Sequence, residues 1–397
     1  MKRFSLTGKR EPPPTPPFRG LSTSRLPQWL KRIMTDNRHR AIVLKELEDR
    51  EVLRAKYRAR SRFKNVPQLS SLSAPSAPAV HHHPSDQNNT LEKFYSVSLS
   101  VVPRHQPLNR YSDIAPYDRG CVMVTQNDAT RPSQYLNGNW VREVGGNAWC
   151  LATQAPLPGT MYTFFSMCTS LVPPRQRIRT MVGPKGAFFL TASSGPHTRT
   201  SERDGTHDLP LMEVMLVNQR EIPDAQCIQS TLRISLRDPS EAVIESVDVQ
   251  HFFFTAWPDH GVPNDAIPII KLVHLVDDAN SKKGGIESVA PVLVHCSAGV
   301  GRTGTFIAIS SMFRLFKLLP DVSNDGLGDP TEDQPPAISP LGRMSQTVSE
   351  DLVALEIDGL RELRPGMLQR PEQVLFVYVV LAHALALGNG EGLSHGA

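Results

Sequence analysis

No apolar run in this 397-residue chain reaches the ~18 to 20 residues that a membrane-crossing helix requires, so no membrane span is expected. The longest run, Val374 to Leu387, contains His383 and follows a proline, which predicts a buried terminal helix instead. Cysteine is also scarce. Five are scattered without Cys-x2-Cys pairs, which argues against a disulfide framework and against a metal centre of that spacing. No metal or other cofactor is expected, and a reducing compartment fits best, the cytoplasm with the nucleus as an alternative. No apolar core follows the basic Met1–Phe4 start, which argues against a secretory signal.

What the sequence does contain is proline, unevenly spread charge and enough apolar residues, 40%, for a sizeable core. Its 34 prolines, many of them clustered, predict extensive irregular structure. Residues 1–64 hold 18 Lys+Arg against 6 Asp+Glu, a local +12, whereas the remainder carries −8. The net +4 thus conceals a basic arm on an acidic body, and no nucleic-acid partner is expected. Residues 1–25 read as a disordered basic tail whose Pro12–Pro17 stretch suits an extended polyproline ligand for an aromatic-lined groove. Residues 26–65 read as charged helices packed on the body, with Trp29, Ile33, Ile42, Leu44, Leu47 and Leu53 at apolar positions. Residues 66–90 read as a linker or loop, in which His81–His83 is a polar tract rather than a metal site. The catalytic domain is expected over 91–388, with a surface insertion at 320–346, a candidate modification site at Ser339-Pro340, and a tail at 389–397.

The stretch from Val292 to Phe306 organises that domain. Val292, Leu293 and Val294 predict a buried strand, Gly299, Gly301 and Gly304 a tight turn, and Phe306, Ile309, Met312, Phe313 and Phe316 a helix from Arg302 onward. Strand, glycine loop and helix start would turn the amides of Ser297, Ala298, Gly299, Val300, Gly301 and Arg302 inward at the positive end of a helix dipole. Such a cradle holds a tetrahedral oxyanion. A thiol at its floor, Cys296, would be held as a thiolate by the helix start and nearby cations, and Arg302 supplies a fork for two phosphoryl oxygens. Cys227 to Arg233 has the same Cys-x5-Arg spacing but no glycine, and alternates as an ordinary strand. The glycines and flanking elements, not the spacing, carry the signal.

Strands are expected at 121–125, 211–217, 228–236 and 247–255, and a helix over Thr160 to Leu171 with Cys168 in the core. Asp259 stands in Trp257–Pro263, where a mobile loop could close over a substrate and deliver a proton. Tyr111 offers an aromatic wall, and Asp113 an acceptor for a peptide backbone. Thr347 and Glu350 suit a capping box for a helix through Leu363. Gln369 and Gln373, four apart, carry amides suited to orienting a water.

The run from His295 to Gly304 resembles the signature loop of cysteine-dependent protein phosphatases in its phosphotyrosine-specific, non-receptor form, here fungal-like. That resemblance implies an α/β domain with a highly twisted mixed sheet flanked by helices, the Cys-x5-Arg loop lying between strand and helix. It implies Cys296 as nucleophile, Arg302 as phosphate ligand, Asp259 as acid then base, Gln369 as water-positioning residue, and Tyr111 as the wall that sets pocket depth. Thr303 would donate to the departing thiolate and His295 would support the loop. Phosphotyrosine-containing proteins are the implied substrates. Leu108 stands where the family carries lysine, and Arg370 and Pro371 replace the usual residues between the glutamines. Residues 183–210 lack the family's Lys-Cys-x-x-Tyr-Trp-Pro segment and the acid before it that positions the arginine. A dual-specificity phosphatase and a catalytically impaired phosphotyrosine-binding protein are the alternatives. Cys296→Ser should abolish turnover of a phosphotyrosine peptide while retaining its binding, and Cys227→Ser should leave turnover near that of the parent; equal losses would contradict the assignment.

Overall fold

β-branched and apolar runs form the strands β1 (Cys121–Val124), β2 (Gln134–Arg142), β3 (Trp149–Gln154), β4 (Thr180–Pro184), β5 (His197–Thr200), β6 (Leu211–Ile222), β7 (Cys227–Arg237), β8 (Val243–Phe254) and β9 (Val292–Cys296). The computed structural model describes residues 26–62, 84–124, 133–184, 197–200, 209–258, 261–281, 290–322 and 328–388. Pro12–Pro17, His81–His83, most of 183–210, Asp259 and the tail at 389–397 lie outside the described residues. Among those described, the strands join in one nine-stranded sheet of order β1-β2-β3-β9-β4-β8-β7-β6-β5. Its centre, β3, β9, β4 and β8, is parallel, and both flanks are antiparallel. β9 lies between β3 and β4, buried along almost its whole length, which is why its sequence is a continuous apolar run rather than an alternating one.

Helices cover both faces. They are α1 (Gln28–Thr35), α2 (Asn37–Ser61), α3 (Pro84–Phe94), α4 (Met161–Ser166), α5 (Ile267–Ser281), α6 (Gly301–Leu315), α7 (Leu352–Leu363) and α8 (Pro371–Gly388). One core joins Leu30 and Ile33 of α1, Leu272 and Val273 of α5, Ile307 of α6, Ile357 of α7 and Val377 and Val380 of α8 against Val182, Phe252 and Val294 of the sheet. The opposite face packs Phe164 and Phe165 of α4 on Met181, Leu232, Ile234 and Leu293. α8 is apolar around its circumference because it is enclosed on nearly all sides, which accounts for the Val374 to Leu387 run. No helix among the described residues is long and apolar enough to cross a membrane. The mixed α/β sheet flanked by helices is the expected class, and β6, β7 and β8 occupy the three expected stretches with longer bounds.

Several local expectations are corrected. α4 ends at Ser166, not Leu171, because Ser166 and Thr169 return their hydroxyls to the carbonyls of Tyr162 (2.8 Å) and Ser166 (3.1 Å), and Ile178 N takes the carbonyl of Met167 (2.8 Å). Cys168 is nonetheless buried. α7 starts at Leu352, and its cap is Asp351, which accepts from Ala354 N at 2.9 Å; Thr347 and Glu350 lie in the turn before it. The stretch read as linker ends in a helix, since α3 opens at Pro84 and packs Leu91 and Phe94 on the Tyr95 and Tyr117 rings.

The charged arm also differs from its apolar reading. Ile33 and Leu47 are buried, but Ile42 and Leu53 are exposed, and α2 turns Arg40, Arg50 and Arg54 inward. Arg50 grips both oxygens of Asp358 on α7, at 2.8 and 2.7 Å. Arg54, fully buried, reaches Asp358 and Glu362, while Tyr95 donates to Glu362 at 2.7 Å. Buried ions are tolerated there because each carboxylate receives several donors; removing one member leaves an uncompensated charge. Arg54→Ala should therefore destabilise the fold by roughly 3–5 kcal/mol in denaturant unfolding, against under ~1 kcal/mol for an exposed pair such as Lys45–Asp49.

Candidate active site

Cys296 ends β9 at the carboxyl edge of the parallel strands, where crevices of open α/β sheets form. Only four residues separate it from α6, which begins at Gly301, so the loop is confined between a strand end and a helix start. Gly299 makes the turn. Its φ is +71°, and a β-carbon there would lie 2.1 Å from the Thr153 carbonyl oxygen, so a side chain is excluded by both conformation and space. Gly299 N donates to Cys296 Sγ at 3.1 Å, so this loop amide points at the sulfur. A β-carbon on Gly301 would meet the Gln373 amide at 2.8 Å, so Gln373 packs on the loop.

If the amides face inward, the carbonyls behind them must be satisfied elsewhere. Arg364 does this. Its guanidinium, fully buried, donates to the carbonyls of Gly299 (2.6 Å) and Ala298 (3.3 Å) and to the side-chain oxygens of Asn139 (3.3 Å) and Asn137 (3.1 Å). Burial pulls its pKa down to about 10, a fall opposed by the neighbouring Tyr135, Cys296 and Cys121, so it remains a cation at neutral pH behind the loop. Arg361, on the same helix end, donates to the carbonyls of Met367 and Leu368 (both 2.9 Å) and of Leu47 on α2 (2.8 Å). Leu368, with φ +50°, gives its N–H to the Val300 carbonyl at 3.2 Å and thereby brings the partly exposed Gln369 to the loop.

The other expected residues fall as follows. Tyr111 Oη lies 2.7 Å from Ser297 Oγ, so the aromatic wall stands beside the loop. Its segment is fastened by Gln154 at the end of β3, which accepts from Arg110 N (2.9 Å) and donates to the Leu108 carbonyl (2.8 Å). Asp113, partly exposed, receives Arg62 on its backbone carbonyl at 3.3 Å. Arg302 donates to the carbonyl of Pro258, the residue preceding Asp259, at 3.2 Å. On either side of Asp259 the described residues are tied, Trp257 Nε1 donating to the Gly261 carbonyl at 3.2 Å. Thr303 is fully buried in the first turn of α6, its hydroxyl without a hydrogen-bond partner among the described residues.

His295 departs from its expected role. Successive strand residues point to opposite faces, so its ring turns away from Cys296 to stack on His251, Nε2 to Nε2 at 3.3 Å, with Phe164 edge-on and Gly183 against it. Burial lowers His251 to about 4 and His295 well below the usual imidazole range, so both are neutral packing groups under the strand rather than partners of the loop amides. Cys227, the decoy, is buried at the start of β7 opposite Phe254, and burial pushes its thiol up to about 12.

Residues 105–173 and 198–324 match the family model for protein-tyrosine phosphatase, and together they carry β9, the loop and α6. The chain belongs to the protein-tyrosine phosphatase family. Among relatives, it is 29% identical over 293 residues to receptor-type tyrosine-protein phosphatase F of Rattus norvegicus, covering 73% of this chain and 13% of that one. The chain thus spans about an eighth, 13%, of the length of the receptor-type F relatives it matches. It is 26% identical to tyrosine-protein phosphatase 1 of Saccharomyces cerevisiae over 73% of this chain and 86% of that protein. The fold is similar to the catalytic domain of human protein tyrosine phosphatase non-receptor type 18, with a TM-score of 0.55 at 20% identity over 86% of this chain and 96% of that one.

Gln134–Asn139 resembles a family segment of the scaffold under the site, and Asn137 and Asn139 lie there, whereas the roles of Arg364 and Arg361 are not marked by their neighbours in the sequence. The signal was indirect: a loop with inward amides requires a buried donor fork for its carbonyls, and arginine has that geometry. Arg364→Lys, which keeps the charge and loses the fork, should lower kcat on a phosphotyrosine analogue by roughly 100-fold, the cost of misplacing an oxyanion donor. Steady-state turnover alongside a thermal melt separates this from unfolding.

Proposed function

We propose that this family member hydrolyses phosphotyrosine in proteins through a cysteinyl-phosphate intermediate. The observation that carries the reading is Cys296 Sγ beneath the Gly299 amide, in a loop whose outer carbonyls are held by the buried Arg364. The sulfur attacks phosphorus while the loop amides and Arg302 hold the equatorial oxygens, and Asp259 gives its proton to the phenol oxygen as it leaves. Water held by the Gln369 amide then attacks the intermediate, with Asp259 taking the proton. Thr303, whose hydroxyl is buried without a partner among the described residues, supports a role as donor to the thiolate as it is released. No step needs a metal.

Specificity for tyrosine follows from depth. Tyr111 is bonded to the loop at Ser297, and a wall fixed there leaves a phosphoserine short of the sulfur while a phosphophenol reaches it. Asp113 provides an acceptor for the substrate backbone, and Gln373, packed on Gly301, borders the water site. Five free cysteines agree with work in a reducing compartment, the cytoplasm or nucleus, and Pro12–Pro17 is a candidate ligand for a groove on a partner. A phosphotyrosine peptide should be turned over at least ~100-fold faster, in kcat/KM, than its phosphoserine counterpart, a gap of about 2.7 kcal/mol in barrier. Peroxide should abolish this activity and thiols restore it, as expected of a thiolate nucleophile. Equal rates on the two peptides would indicate dual specificity, and no turnover with intact phosphopeptide binding would indicate a binding module.

A further inference from the structure

The chain has two Ser/Thr-Pro steps, Thr15-Pro16 and Ser339-Pro340, and the second lies on the described surface. No helix or strand is assigned among the described residues from Phe316 to Asp351, and the residues flanking Ser339 are open to solvent: Ala337, Ile338 and Pro340 are exposed. The segment is irregular, with bends at Ala337 and Ile338 and a turn in which Gly342 N donates to the Ser339 carbonyl at 2.8 Å, so a kinase that reads proline next in line has only this turn to draw open. Ser339 itself is half-buried for a specific reason. Its hydroxyl donates to Glu362 Oε1 at 2.5 Å and accepts from Leu341 N at 3.2 Å.

Glu362 is the carboxylate on which the arm and the body converge. It also receives Arg54 of α2 and the Tyr95 hydroxyl, and its carbonyl receives Arg119 at 2.7 Å. The strap continues along the same seam: Leu341 packs in the Tyr95 and Tyr117 cluster, Gly342 gives its carbonyl to Arg50 at 2.9 Å, Met344 is buried, and Ser345 N donates to Glu46 at 2.6 Å. One turn beyond Asp358, α7 carries Arg361 and ends before Arg364, the two arginines that hold the loop and the Gln369 segment.

We propose that Ser339 is a phosphorylation site for a proline-directed serine/threonine kinase, and that its modification lowers activity by unfastening the strap from α2 and α7. In the transfer, Ser339 Oγ attacks the γ-phosphorus of ATP, the bond to ADP breaks, and the hydroxyl proton passes to the kinase base. The product reverses the chemistry at the seam. A donor becomes a group of acceptors carrying about −1.5 to −2 charge, set against a buried carboxylate that had been its acceptor. Glu362 cannot keep this contact, and Arg54 is drawn between two anions where it had served Glu362 and Asp358. The part of this inference that concerns activity rests on the proposed phosphotyrosine hydrolysis.

The test uses the full chain carrying Thr15→Ala, so that Ser339-Pro340 is the sole Ser/Thr-Pro step, treated with Mg-ATP and a proline-directed kinase. Intact mass and peptide mapping should find one phosphate on Ser339, and a Ser339→Ala version should take up none there. Stoichiometrically modified protein should be nicked faster by protease between residues 328 and 345 and melt about 3 °C lower or more. Its turnover should fall about tenfold, which corresponds to about 1.4 kcal/mol in the barrier. The inference is overturned if the folded chain takes no phosphate while a synthetic 334–345 peptide does, or if full modification leaves proteolysis and melting unchanged. An unmodified chain that turns over no phosphotyrosine would refute the proposed function instead, and the protease and melting readouts would still judge the strap.

Discussion

A loop whose amides turn inward must turn its carbonyls the other way, and in this fold two of them, on Ala298 and Gly299, face one buried guanidinium, while those of Ser297 and Val300 take backbone amides. Arg364 donates to the carbonyls of Ala298 and Gly299 and, with two of its three remaining hydrogens, to the side-chain oxygens of Asn137 and Asn139. The arrangement solves two problems together. Buried acceptors find donors, and a positive charge stands permanently behind the site where negative charge gathers. The requirement extends outward, since β2 must bring its asparagines under the loop and α7 must end where its arginine can reach.

The N-terminal helices belong to that same chain of constraints. α2 meets α7 through arginines, with Arg50 and Arg54 on Asp358 and Glu362 and the Leu47 carbonyl on Arg361. These contacts, with Val43 and Leu47 of α2 in the same core as Ile357 and Leu360 of α7, fix where α7 lies along α2. That position is what the loop needs, because Arg361 lies in the last turn of α7 and Arg364 follows its end.

What was legible in the sequence was whatever local pattern dictates. The Val-Leu-Val run, the glycines at 299, 301 and 304 and the helical spacing from Phe306 placed β9, the loop and α6, because strand burial, positive φ and amphipathic period are each written into a few adjacent residues. The absence of glycine after Cys227 likewise marked a plain strand. What stayed hidden depends on partners distant in the chain. Nothing near Arg54 says that two carboxylates some 300 residues away will bury it. Nothing around Ser166 says that hydroxyls will stop α4, and nothing at Asp351 outranks the neighbouring Thr347 and Glu350 until the helix is seen to start one residue later. His295 was placed by its neighbour Cys296 in the motif, whereas the alternation of the strand sends it to the opposite face.

The contact between Arg302 and the Pro258 carbonyl has a thermodynamic reading. In the proposed reaction this one side chain would serve both the anion and the segment that leads to Asp259, and the position of that segment and the affinity for an oxyanion would then be linked functions. Any factor by which an anion shifts the segment is the factor by which the segment, moved by other means, shifts anion affinity. The Trp257 to Gly261 bond ties the two described ends of that segment to each other. Substitutions at the shoulders of the loop therefore act as effectors of anion binding, at a distance from the anion itself.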